Sequence, residues 1–219
     1  MAMTRRNALL LLIGWIIAMA IVLPFDRATA VWVQHHLPLI RHPTLIQVMR
    51  VPGRYPYLIP VGILVGLLYR NRWRAAAPLL LTGPPVGLLY TVMKWCFGRR
   101  RPVIEIAPFR FHPFIDGIRG LFVSVPGLSF PSGDAMMASA TATVVTIILP
   151  RWAALAWAWA LITCVERVLE NAHYLSDVVS GTTGGVLCGW FACWLAIKLL
   201  GKHPDEAPAD QLLTATPRT

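Results

Sequence analysis

His173 and Asp177 stand four residues apart, a spacing that puts them on one face of a helix if one begins there. An Asp that accepts from one imidazole nitrogen fixes the tautomer and leaves the other nitrogen free to attack an electrophile such as phosphorus. A structural His-Asp pair is the alternative, but ionisable residues close to hydrocarbon are costly and point to function. Arg167 precedes His173, and further upstream lies Lys94, with Arg101-Pro102 seven residues after it. A phosphoryl group in transfer spreads negative charge over its equatorial oxygens, so its site needs fixed cations and backbone donors. Lys94, Arg101 and Arg167 can supply the cations, and arginine adds a bidentate fork.

Pro131-Ser132-Gly133 comes just before an apolar run that reads as a helix. Unpaired amides and the positive end of the helix dipole favour an anion there. Ser132 can equally serve as the helix cap, and both readings can hold together. The basic run Arg99 to Arg101 reads by itself as a membrane-surface anchor. Its neighbours in the pattern draw Arg101 into the site and leave Arg99 and Arg100 as anchors or head-group contacts.

In order and spacing, Lys94-x6-Arg101-Pro102, Pro131-Ser132-Gly133 and Arg167-x5-His173-x3-Asp177 resemble the signature of the type 2 phosphatidic acid phosphatase family. That signature is Lys-x6-Arg-Pro, then Pro-Ser-Gly-His, then Ser-Arg-x5-His-x3-Asp. The resemblance implies a membrane lipid phosphatase in which His173, paired with Asp177, forms a phosphohistidine that water hydrolyses, with no metal and no cofactor. It also implies phosphate binding by Lys94, Arg101, Ser132, Gly133 and Arg167. The substrate classes it brings are undecaprenyl diphosphate, phosphatidylglycerol phosphate, phosphatidic acid and lipid A. A lipid phosphotransferase and a catalytically weak lipid-phosphate-binding protein are the rivals.

The chain departs from the signature at Asp134, where the family has the His that protonates the leaving oxygen, and at Glu166, where it has Ser. Asp134 can act as a proton donor if burial or a neighbouring carboxylate such as Glu166 or Glu170 raises its pKa. Alternatively the leaving group needs little protonation, as for a phosphate released from a diphosphate, or the enzyme is weak. His112, in the long loop, is an outside candidate for the missing acid.

The elements that must position these residues are membrane helices. The chain of 219 residues is 56% hydrophobic and 14% charged, too apolar for a soluble domain and long enough for six spans with short connections. The expected fold is an all-α bundle of six transmembrane helices over residues 1–200, with a polar disordered tail at 201–219. The spans are expected at Asn7 to Phe25, Tyr55 to Tyr69, Ala75 to Phe97, Asp134 to Leu149, Trp152 to Leu169 and Tyr174 to Leu200. The first reads as a retained signal-anchor rather than a signal peptide cleaved after Ala28-Thr29-Ala30. Asp26 to Arg54 reads as an interfacial loop with short helical pieces, and Pro84-Pro85 predicts a kink in the third span.

The loop 98–133 is expected to form part of the site. Gly181, Gly185 and Gly189 recur every fourth residue of the last span, a face for close helix packing. Arg70, Arg72 and Arg74 mark a cytoplasmic turn. Counted from a cytoplasmic amino terminus, every candidate residue falls on the outer side of a bacterial-type inner membrane, facing the periplasm. The net charge of +10 lies mainly at the ends of apolar runs, which fits membrane anchoring and argues against nucleic acid. Four dispersed cysteines without a Cys-x-x-Cys pair read as buried apolar residues.

Overall fold

The computed structural model describes residues 4–37, 43–68, 73–106, 112–114, 117–122 and 126–200. The expected turn at Arg70 and Arg72 and the tail at 201–219 lie outside them, as does the side chain of Arg74. Among the described residues the regular elements are all helical: α1 (Arg5–Val22), α2 (Asp26–His36), α3 (Pro43–Arg50), α4 (Tyr55–Leu68), α5 (Trp73–Leu80), α6 (Gly83–Phe97), α7 (Arg119–Phe122), α8 (Gly133–Ile148), α9 (Ala153–Leu169) and α10 (Leu175–Leu200). Four helical stretches are long and apolar enough to cross a membrane: Arg5–His36, Ala76–Phe97, Pro150–Leu169 and Leu175–Leu200. The apolar parts of α4 and α8 are shorter. Helix α1 buries none of its residues and turns Leu9, Ile13, Ile16 and Ile17 outward, the pattern of a helix whose solvent is lipid.

Helix α8 is the centre of the bundle, with Met136, Ala140 and Val144 fully buried. Leu58 of α4, Val86 of α6 and Cys188 of α10 pack around Met136 and Met137, while Leu79 of α5 and Cys193 of α10 pack around Val144. The glycine face of α10 meets α8 backbone to backbone. A Cβ at Gly181, Gly185 or Gly189 would come within 2.4 Å of the Ser132 carbonyl oxygen, 2.2 Å of that of Met136 and 2.6 Å of that of Ala140. The expected packing face is therefore present, and α8 is what it packs on.

Two connections differ from expectation. The stretch Asp26 to Arg54 is largely helical: a short 3-10 turn at Leu23–Phe25 joins α1 to α2, and α3 follows. Instead of a kink at Pro84-Pro85, the third span breaks at Leu81 and Thr82, and the two prolines fall in the first turn of α6, where a missing N–H costs nothing. The Thr82 hydroxyl donates to the Pro78 carbonyl at 2.7 Å and so satisfies an acceptor at the break. The last three spans begin and end within one residue of the expected bounds.

Gly185→Ala drives a methyl into the α8 main chain and should destabilise the protein by about 1–3 kcal/mol or more. Gly14→Ala, with nothing within 4 Å, should leave thermal unfolding in detergent unchanged. Equal midpoints for the two variants would contradict the packing described.

Candidate active site

Each motif residue is held by a helix end. Helix α6 stops at Gly98, whose left-handed φ of 58° lets its N–H return to the Lys94 carbonyl at 2.8 Å. A Cβ there would lie 2.1 Å from the carbonyl oxygen of His112, whose side chain is exposed. Ser132 is the N-cap of α8: its hydroxyl accepts from the Ala135 N–H at 3.4 Å, and its own N–H donates to the Asp177 carbonyl at 3.0 Å. The capping role is thus realised. Two residues past the end of α9, Asn171 takes a positive φ of 56° that Asn tolerates better than most residues. The turn lets both Ala172 and His173 donate their N–H to the Arg167 carbonyl, each at 3.2 Å.

Asp177, the third residue of α10, accepts from the Tyr174 N–H at 2.8 Å, the reach-back of a capping box. Its Oδ2 also accepts from the Ser129 hydroxyl. Its Oδ1 accepts from Arg99 Nη1 at 2.8 Å. His173 Nδ1 lies 3.7 Å from Asp177 Oδ2, within ion-pair range but longer than a hydrogen bond. His173 is 3% exposed and Asp177 is completely buried. Burial pushes the His173 imidazole below its ordinary pKa of 6.5; Asp177 opposes this, and Lys94 and Arg101 add to it. The shift favours the neutral ring, the form in which a ring nitrogen has a free lone pair.

Lys94 and Arg101 converge on one acceptor, the Leu128 carbonyl, at 2.6 Å from Nζ and 3.2 Å from Nε. Arg99 corrects the sequence reading. Rather than anchoring to the membrane surface, it is 3% exposed, stacks 3.7 Å from the Tyr174 ring centroid and bridges Asp177 to Asp26, with Nη2 2.9 Å from Asp26 Oδ2. Arg100 is exposed, in keeping with the surface role expected of it.

Arg167 faces a second cluster. Its Nε and Nη2 grip both oxygens of Glu166 at 2.7 Å, its Nη1 donates to Asp134 at 2.9 Å, and its Nη2 also reaches Glu170. Arg50 of α3 joins Glu166, with Nε 3.1 Å from Oε1, and contacts Glu170. Asp134 sits in the first turn of α8, and a Cβ on Gly53 would lie 2.7 Å from its carbonyl oxygen. The chain thus brings His173, Asp177, Lys94 and Arg101 into one group, and sets Arg167 and Asp134 in another dominated by carboxylates. Asp26, Ser129 and Arg50 were missed. An acid that closes a long apolar run, as Asp26 does, is itself a signal that a buried partner exists. Among the described residues, no three His, Cys, Asp or Glu side chains gather so as to hold a metal ion.

An apolar groove of about 390 Å³ runs between α4, α8 and α9, lined by residues including Val51, Leu58, Ala138, Ala142, Leu149 and Trp159. Ala138 is one turn along α8 from Asp134.

A family model described as the PAP2 superfamily matches residues 63–201. The chain belongs to the PAP2 superfamily. The matched span contains every motif residue, but neither Asp26 nor Arg50. The chain is 30% identical over 118 residues to a lipid A 1-phosphatase of Rhizobium etli, a match covering 51% of this chain and 44% of that protein. It is 28% identical over 166 residues to phosphatidylglycerophosphatase B of Bacillus subtilis, covering 68% and 74%. The chain therefore spans less than half the length of the Rhizobium relative. Among solved structures, it resembles the PAP2-type phosphatidylglycerolphosphate phosphatase from Bacillus subtilis with a TM-score of 0.59 and 25% identity, covering 87% of this chain and 96% of that one. LpxE of Aquifex aeolicus shares the fold at a TM-score of 0.54 and 23% identity, covering 78% and 94%.

Arg99→Met in this PAP2 protein leaves Asp26 and Asp177 buried without their shared cation and should cost about 3–5 kcal/mol. Arg100→Met should stay within about 0.5 kcal/mol of the parent. Denaturation midpoints in one detergent compare the two directly, and an unaffected Arg99 variant would refute the buried bridge.

Proposed function

We propose that the chain is a membrane lipid phosphatase that hydrolyses a lipid phosphomonoester or a polyprenyl diphosphate through His173. The observation that carries this is a buried imidazole that faces an Asp carboxylate at 3.7 Å, with Lys94 and Arg101, which share a carbonyl as acceptor, close enough to act on it. In this reading Nδ1 faces Asp177 and Nε2 attacks phosphorus. The bond from phosphorus to the leaving oxygen breaks, and the ring becomes a cation that the Asp177 carboxylate supports. Water then attacks the phosphohistidine, phosphate leaves with the phosphorus-to-nitrogen bond broken, and neutral His173 returns. Lys94, Arg101, the Ser132 hydroxyl and the Gly133 amide hold the equatorial oxygens, with Arg167 as a third cation once substrate draws it from its carboxylates. No metal or cofactor takes part.

Asp134 lies on the leaving-group side. Its ion pair with Arg167 favours the second of the three explanations for the missing His, a leaving group that needs little protonation, which suits a diphosphate. The groove supports a substrate with a long apolar chain. From Ala138 to Leu149 it follows α8 for roughly 16 Å, about half of the ~30 Å hydrocarbon thickness and so one leaflet deep. The names of the relatives, a lipid A 1-phosphatase and a phosphatidylglycerophosphatase, agree with a lipid phosphate. The four long helical stretches with α4 and α8 would make six crossings of a bacterial inner membrane over residues 1–200. The site then faces the periplasm and the carboxyl terminus the cytoplasm.

The deciding assay is phosphate release from phosphatidic acid, phosphatidylglycerol phosphate, lipid A and undecaprenyl diphosphate, with His173→Ala as the blank. At least one lipid should be turned over and yield a phosphoenzyme, both lost in the variant; turnover that survives it would sink the mechanism. The pH profile adds a second check. Because His173 is held below 6.5, phosphoenzyme formation should keep its rate as pH falls through 6.5 and decline only at lower pH. An acid limb centred at or above 6.5 would show an imidazole that burial has not shifted. Asp134→His should move the alkaline limb if Asp134 donates a proton, and leave it in place if the leaving group departs unprotonated.

A further inference from the structure

Asp26 lies at the junction of α1 and α2, far in sequence from every motif and outside the span matched by the superfamily model. It is only 5% exposed. Its Oδ1 accepts from the Ser176 N–H at 2.9 Å, and its Oδ2 accepts from the Ser176 hydroxyl and from Arg99 Nη2, the latter at 2.9 Å. Arg99 Nη1 donates to the Ser176 hydroxyl at 2.7 Å and to Asp177 Oδ1 at 2.8 Å. One guanidinium is thus divided between two buried carboxylates, one on the N-terminal helical path and one beside His173.

Two effects follow at Asp177. The first is aim: Arg99 holds Oδ1, so Oδ2 is the oxygen left facing His173 Nδ1. The second is charge. As His173 bonds to phosphorus its ring turns cationic, and a carboxylate supports that cation less well when a full arginine charge rests on it. While Asp26 takes one side of Arg99, only part of that charge falls on Asp177. Lys94 and Arg101 from the end of α6 also act on His173, and Asp134 of α8 acts on Lys94.

We infer that Asp26 is a positioning residue for the nucleophile, acting through Arg99 to orient Asp177 and to limit the positive charge placed on it. This rests on His173 being the nucleophile. It assigns to the N-terminal helical path a part in the chemistry besides its place in the bundle.

The test compares Asp26→Asn, Asp26→Glu and Arg99→Lys in the full-length protein in vesicles, on whichever lipid the wild type hydrolyses best. Asp26→Asn keeps the shape and removes the charge. It should lower kcat about 10- to 100-fold, by analogy with the loss of an outer-shell partner behind a metal-ligating histidine, with KM within about twofold. The acid limb of phosphoenzyme formation should move to lower pH, because Arg99 then bears on Asp177 alone and His173 is harder to protonate. Asp26→Glu should recover most of kcat. Arg99→Lys keeps the charge but has no fork to bridge two carboxylates, so it should lose kcat without losing KM even if Asp26→Asn fails to fold. Wild-type kcat in folded Asp26→Asn or in Arg99→Lys would overturn the inference. So would a loss in Asp26→Asn with an unmoved acid limb and no recovery in Asp26→Glu, which would assign Asp26 to holding the helix in place. A wild type that forms no phosphoenzyme would overturn the nucleophile reading and this one together; a wild type that forms it, with variants that match it, would overturn this one alone.

Discussion

Arg99 lies between two buried acids, and much of the catalytic end depends on that arrangement. Neither Asp26 nor Asp177 could remain charged in so dry a place without a partner, since a carboxylate taken out of water is stable only when paired and hydrogen-bonded. The bridge ties the N-terminal helical path to the first turn of α10. Ser129, Ser176 and the Tyr174 amide fill the remaining acceptor positions. Every one of these contacts fixes the face of Asp177 that His173 meets.

The charges around the reacting centre are sorted into two systems. Beside His173, Lys94 and Arg101 are held close together by a neutral carbonyl, and among the described residues neither has an ion pair with a carboxylate. On the other side Asp134, Glu166 and Glu170 surround Arg167 and Arg50. There every donor of Arg167 faces a carboxylate, and an incoming anion has to compete for it. Asp134 and Glu166, the two departures from the family signature, both belong to this second system.

Much of this was legible in the sequence because it depended on local spacing. Ser132 before an apolar run gave a cap, and glycines four apart gave the seam between α10 and α8; the interval between His173 and Asp177 gave a facing pair, though not on one helix, since α10 begins only at Leu175 and His173 stands in the turn before it. The bounds of α8, α9 and α10 followed from apolar runs that end in turn residues. What stayed hidden depended on contacts between residues far apart in the chain. Asp26 and Arg99 are 73 positions apart and Arg50 and Glu166 are 116 apart, and no periodicity carries such a pairing. Arg99 was also misread because it sits in a basic run whose middle member, Arg100, does face outward. The helicity of Asp26 to His36 escaped because its charged and polar residues mask a continuation of α1.

The corner at Asn171 joins the two systems mechanically. Arg167 has a divided role: its side chain belongs to the carboxylate cluster, while its carbonyl receives the amides of Ala172 and His173. The last turn of α9 is therefore the peg from which the His173 backbone hangs, and the same residue is held through its side chain by three carboxylates. Arg167 is in this way common to the backbone of one group and the charges of the other.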